Sequence, residues 1–115
     1  ATPDLVINLR NAAIAADIKY HEGLVLTSDM FYPHEALGSD LPLWQRAGVI
    51  AVEMEAAALF VICSLQGVKT AAVFAIDGNP LEQDDGSMET YNPSQESVRT
   101  AVTASIKVAL AALSA

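Results

Sequence analysis

Two carboxylates, Glu53 and Glu55, flank Met54 at the point where the chain changes character. Before them runs Gly48-Val49-Ile50-Ala51-Val52, made of β-formers; after them comes Ala56-Ala57-Ala58-Leu59-Phe60, made of helix formers. No Gly or Pro separates the two runs, so a strand should pass directly into a helix with both acids in its first turn. Acids in an apolar passage are costly to bury without partners. In a first turn, the helix dipole and the free N–H groups favour negative charge. A carboxylate kept ionised there can accept hydrogen bonds from a hydroxylated ligand; it can equally do no more than match the dipole.

Other residues with chemistry to offer stand at similar places. Ser28-Asp29-Met30-Phe31-Tyr32-Pro33-His34 follows a run of β-formers and puts an aromatic pair on a loop fixed by proline. Such aromatics either cover a core edge or stack on a flat ring. Asp77 ends the apolar run over residues 70–77 and precedes Gly78. His21 and His34 have no Cys or His neighbour at metal-ligand spacing, so no metal site is expected. Cys63, the one cysteine, can form no internal disulfide, and among Val61, Ile62 and Leu65 it reads as a small hydrophobe.

The elements that must hold these groups can be read in order. Thr2-Pro3-Asp4 opens a helix with a hydroxyl cap and proline at its first position, and Leu5, Leu9, Ala12, Ala13 and Ala16 form its apolar stripe. Residues 22–28 read as a strand, 43–47 as a short helical turn anchored by Trp44, and 48–52 as a central strand. The helix after the acids should stop at Gly67. Residues 70–77 read as a parallel strand covered on both faces, completing a strand–helix–strand unit with a right-handed crossover. Residues 81–91 form an acidic loop, either a lid or a solvated excursion. Asn92-Pro93-Ser94-Gln95 opens a last helix with its stripe at Val98, Val102, Ile106, Leu110 and Leu113. The order predicts an α/β sheet sandwiched by helices, with ligands beyond the carboxyl ends of the strands. Three such ends, at Ser28–Phe31, Glu53–Glu55 and Asp77–Asn79, would then converge on a crevice suited to vicinal hydroxyls and a flat ring. A sugar joined to a heterocycle fits.

The chain has 115 residues, 52% hydrophobic and 17% charged, which is one well-buried domain's worth. A net charge of −8 argues against binding a nucleic-acid backbone. No membrane-spanning run and no signal peptide are visible, so an intracellular, cytoplasmic protein is the expectation. The abrupt opening without methionine fits a piece of a longer protein.

Val52-Glu53-Met54-Glu55-Ala56-Ala57 resembles the signature of the nucleoside phosphorylase-I superfamily, which includes uridine and purine nucleoside phosphorylases, and Ser28-Asp29-Met30-Phe31-Tyr32-Pro33 resembles an upstream segment of those enzymes. Trp44-Gln45 and Ala47-Gly48-Val49 are similar to the uridine phosphorylases in particular. The resemblance covers residues 1–115 as the carboxyl-terminal half of the family's catalytic domain, a partial three-layer α/β/α sandwich. It implies an enzyme in which inorganic phosphate, a co-substrate and not a cofactor, attacks the anomeric carbon of a nucleoside to release base and pentose 1-phosphate. It implies that Glu55 holds the ribose 2′ and 3′ hydroxyls, Met54 packs under the sugar, Glu53 lines the sugar–base pocket and Phe31 stacks near the base. It implies a homo-oligomer, dimer or hexamer, and a missing amino-terminal half that carries the phosphate loop and its arginines; Arg10, Arg46 and Arg99 read as surface residues. Two departures stand out. Uridine enzymes usually follow the Phe-Tyr pair with Gln and Arg, where this chain has His34, Glu35, Ala36 and Leu37. Purine enzymes place a general acid after the last strand, and Asp77 falls one position short of it, leaving it either that acid or a turn-forming Asp before Gly78. A nucleosidase of the same fold, and a non-catalytic nucleoside-binding or assembly module, are the alternative functions.

Overall fold

The computed structural model describes residues 1–30, 33–34, 36–82, 92 and 94–115. In chain order its elements are α1 (Pro3–Ala15), β1 (Leu24–Thr27), α2 (Leu41–Arg46), β2 (Val49–Glu53), α3 (Ala56–Leu65) and α4 (Glu96–Leu113). They fall into two compact units, one of Ala1–Tyr20 with Lys69–Ala115 and one of His21–Val68.

In the first unit α1 packs on α4. Ala13 is buried on one side of that contact and Val98, Val108 and Ala112 on the other. The Asn8 amide group crosses it, donating to the Ala112 carbonyl at 3.2 Å. Val102, Ile106, Leu110 and Leu113, expected on the buried stripe of the last helix, are exposed. A row spaced by four advances 40° per step around a helix of 3.6 residues per turn, so it drifts off any straight seam. The row that stays on the seam alternates spacings of three and four through Val98, Ala101, Ser105, Val108 and Ala112, and its small side chains let the helices approach.

Thr2 takes the N-cap position of α1 and Pro3 the first turn, as expected, but the Thr2 hydroxyl makes no cap bond. It accepts from the Thr70 amide at 2.9 Å, while the Thr2 amide donates to the Thr70 carbonyl at 2.6 Å. At the other end Asp17 adopts a left-handed φ of 53°, its amide bonding Ile14 and that of Ile18 bonding Ala13, a double closure usually given to glycine. Residues 70–77 are not a strand: they take no regular secondary structure, and among the described residues the sheet has two strands, β1 and β2. The apolar run reports a preference for burial, whereas a strand also needs a neighbouring ladder, and Thr70 spends its backbone groups on Thr2. The last helix also starts later than expected, at Glu96 after Gln95. Asn92 is occupied ahead of it, its side-chain oxygen accepting from the Ser94 amide at 3.0 Å. Pro93 and residues 83–91 of the acidic loop lie outside the described residues.

In the second unit β1 and β2 pair in parallel, with Leu26 opposite Val52 and Thr27 opposite Glu53. The chain between them carries α2, whose Trp44 indole N–H donates to the Asp40 carboxylate at 2.8 Å, so Trp44 does anchor that turn. Gly48 joins α2 to β2 with φ +88°, a conformation that needs glycine. Gly67 follows α3 at φ +67°, supplying the expected stop. Cys63 is half-buried with a free thiol, while Leu59, Val61, Ile62 and Leu65 of α3 are exposed. Among the described residues no helix is long and apolar enough to cross a membrane.

Candidate functional site

Parallel pairing brings the carboxyl ends of β1 and β2 side by side, and the end residues are Thr27 and Glu53. The Thr27 hydroxyl donates to Oε1 of Glu53 and accepts from the Ala57 amide at 3.1 Å. Oε2 of Glu53 accepts from the Glu55 amide at 2.7 Å and the Ala56 amide at 2.6 Å. The Ser28 amide donates to the Glu53 carbonyl at 2.8 Å, extending the ladder one step past the strand. Three consecutive amides at the start of α3, which a helix leaves without internal partners, are thus held by two side chains from two strands.

This corrects the expected position of the acids. Glu53 closes β2 and Glu55 is the N-cap of α3, so neither lies in the first helical turn, which contains no acid. A carboxylate can reach back to these amides only from ahead of the turn. Burial raises the pKa of Glu53, but the bonds from the Thr27 hydroxyl and the Glu55 and Ala56 amides outweigh it and hold the carboxyl below its usual value. Every partner of the carboxylate is a donor, which is what an anion needs and a protonated acid could not use fully.

Met54 and Glu55 form the turn above this clamp. Both are exposed, Met54 by 44%, and among the described residues the Glu55 carboxylate makes no hydrogen bond or ion pair. One acid is therefore engaged by the fold, and its neighbour is presented to solvent at the tips of the two strands. Beyond β1, the Ser28 hydroxyl accepts from the Met30 amide at 3.3 Å and donates to the Met30 carbonyl at 3.1 Å, which fixes the start of the next loop. That loop borders a pocket of about 280 Å³ lined by Met30, Pro33, Leu37, Ser39 and Leu41 among others. The His34 ring accepts from the Ala36 amide at 3.1 Å.

The structure thus brings Glu53, Met54 and Glu55 together at two strand ends. Asp77 is exposed and belongs to the other unit, at the end of a segment that is not a strand. Phe31 lies outside the described residues. Among the described residues no group of three His, Cys, Asp or Glu side chains could hold a metal ion. Thr27 was not singled out from the sequence. Its signal, a hydroxyl as the last residue of a strand, gains meaning only from the register that sets it opposite Glu53.

The sequence profile of the Phosphorylase superfamily matches residues 1–114. The chain belongs to the phosphorylase superfamily. A purine nucleoside phosphorylase from Plasmodium vivax (strain Salvador I) is 36% identical to it, over 75% of this chain and 35% of that protein. A uridine phosphorylase from Treponema pallidum (strain Nichols) is 30% identical, over 90% of this chain and 45% of that protein. The crystal structure of purine nucleoside phosphorylase from Toxoplasma gondii in complex with immucillin-H superposes with a TM-score of 0.84 at 28% identity, over 97% of this chain and 44% of that one. This phosphorylase-superfamily chain has the fold of a partial α/β nucleoside phosphorylase domain, and it spans less than half the length of each of these proteins.

Proposed function

We propose that this chain is the sugar- and base-binding part of a nucleoside phosphorylase, an enzyme that cleaves an N-glycosidic bond with inorganic phosphate. The observation that carries the reading is the contrast between the two acids: Glu53 bound by three donors, Glu55 exposed and without a partner among the described residues. Glu55 accepts hydrogen bonds from the sugar's vicinal hydroxyls, and Met54 packs against the sugar's apolar face. Phosphate attacks the anomeric carbon as the bond to the base breaks, and the pair of electrons leaves with the base. Positive charge develops on the sugar in the transition state, and an anionic carboxylate beside it is favourable. Phe31 is the candidate to stack on the base, and Asp77 is either the acid that gives the departing ring its proton or a turn-forming residue before Gly78. The purine nucleoside phosphorylases from Plasmodium vivax and Toxoplasma gondii support a purine nucleoside as substrate. The uridine phosphorylase from Treponema pallidum, with the Trp44-Gln45 segment, supports uridine as the second reading. The exposed apolar side chains of α3 support the proposal of a homo-oligomer.

The test is a phosphorolysis panel of uridine, thymidine, inosine and adenosine on the full-length protein, with and without phosphate. Base release should require phosphate; release in its absence identifies a nucleosidase. Glu55→Ala should lower kcat/KM about 100-fold, the loss of hydrogen bonds from two hydroxyls to a charged acceptor. Wild-type turnover in that variant refutes the assignment.

A further inference from the structure

The clamp beneath the Met54–Glu55 turn is more than a helix cap. Thr27 comes from β1 and Glu53 from β2, and between them they bind the amides of Glu55, Ala56 and Ala57 in succession. The Glu55 backbone, at φ −129° and ψ −29°, lies outside the helix; its carbonyl accepts from the Leu59 amide at 3.2 Å, but its amide has no intrahelical partner. What holds that amide is the Glu53 carboxylate, and what fixes that carboxylate from the opposite side is the Thr27 hydroxyl. The same hydroxyl is also the acceptor for the Ala57 amide, so one oxygen ties the strand end, the acid and the first turn of α3.

We infer that Thr27 and Glu53 are positioning residues for Glu55. They act without touching substrate, by holding the turn so that the Glu55 carboxylate meets the sugar hydroxyls already oriented. The inference rests on the reading of Glu55 as the group that holds the sugar, and it departs from the expectation that Glu53 lines the pocket. A carboxylate whose two oxygens face a hydroxyl and two amides is directed into the protein's own backbone. A positioned acceptor discriminates strongly between a ligand that has the hydroxyl and one that lacks it. A loosely held acceptor does so weakly, because ordering it consumes the gain.

The experiment compares a ribonucleoside with its 2′-deoxy counterpart on the full-length protein, in the wild type and in Thr27→Val, Thr27→Ser, Glu53→Gln and Glu55→Ala. Thr27→Val keeps the β-branched shape and removes the hydroxyl; it should lower kcat/KM for the ribonucleoside about 10-fold and narrow the ribo/deoxy ratio by a similar factor. Thr27→Ser should restore both, and Glu53→Gln should narrow the ratio as Thr27→Val does. A merely structural defect would lower both substrates in parallel and leave the ratio alone. In the unliganded wild type, hydrogen exchange at the amides of Glu55, Ala56 and Ala57 should be slow, and this reading needs no variant to fold. A wild-type ratio in Thr27→Val and Glu53→Gln, or freely exchanging amides in the wild type, overturns the positioning role. If instead Glu55→Ala leaves the ribo/deoxy ratio unchanged, it is the reading of Glu55 that fails, whatever Thr27 does.

Discussion

Replacing Glu53 by glutamine keeps the length and shape of the side chain and removes its charge. In the wild type, one oxygen faces the Thr27 hydroxyl and the other faces the amides of Glu55 and Ala56 at 2.7 and 2.6 Å. Glutamine has one oxygen, so whichever way it turns, its NH₂ meets a donor on the other side. Each bond to a charged acceptor contributes about 1.5–3 kcal/mol net, and a donor left without one costs about 1–3. Glu53 is only half-buried and Glu55 is exposed, so water recovers part of the loss. The expected cost is roughly 2 kcal/mol at neutral pH, which lowers Tm by roughly 4–8 °C in a domain of about 150–250 residues. The pH dependence supplies the sharper test. The folded protein holds the Glu53 carboxyl below its usual pKa, so its stabilisation is complete above the unfolded value and is lost as pH falls through the lower folded one. Thermal melts of the full-length wild type and Glu53→Gln should therefore differ by a constant amount from about pH 7 to about pH 5 and draw together as the pH falls further through the folded carboxyl's lowered range. A gap equally wide in acid, or no gap at neutral pH, would refute the clamp as the source of this stability.

Two further outcomes concern the scaffold. A Cβ at Gly48 would meet nothing within 4 Å, but φ is +88° there, so Gly48→Ala should cost about 1–2 kcal/mol through the backbone alone, read as a lower Tm; an unchanged Tm would show that the turn relaxes. The Lys69–Asp4 ion pair, at 3.1 Å with side chains 66% and 71% exposed, should contribute less than about 1 kcal/mol, so Lys69→Ala should melt within about 2–4 °C of the wild type, and a larger drop would reveal a coupled network.

The passage from β2 into α3 was legible because β-branched residues give way to alanines within a few positions, and such local preferences survive in the fold. The short α2, the Gly67 stop and the Thr2-Pro3 start of α1 were legible for the same reason. What the local signal lacks is partners. Thr27 and Glu53 meet across 26 residues of sequence, and only strand register, a property of the pair, sets them opposite each other. Residues 70–77 carry the hydrophobicity of a strand without, among the described residues, the neighbour that would make them one. On α4 the largest side chains drew attention away from the smaller ones that lie against α1. The acids themselves were located correctly along the chain and one turn too late in the helix, since their backbone-binding role is invisible until the amides are placed.

One arrangement at the start of α3 bears on how an enzyme of this kind divides its work. The positive end of a helix is a common berth for phosphate, because its free amides and dipole attract anions. Here the three amides of residues 55–57 already point at a built-in anion and its hydroxyl companion. A phosphate approaching that end would find its donors taken and a like charge waiting. The nucleophile of the proposed reaction must accordingly be cradled by groups away from this turn. The sugar and its attacker would then be gripped by separate parts of the enzyme, each free to change without disturbing the other.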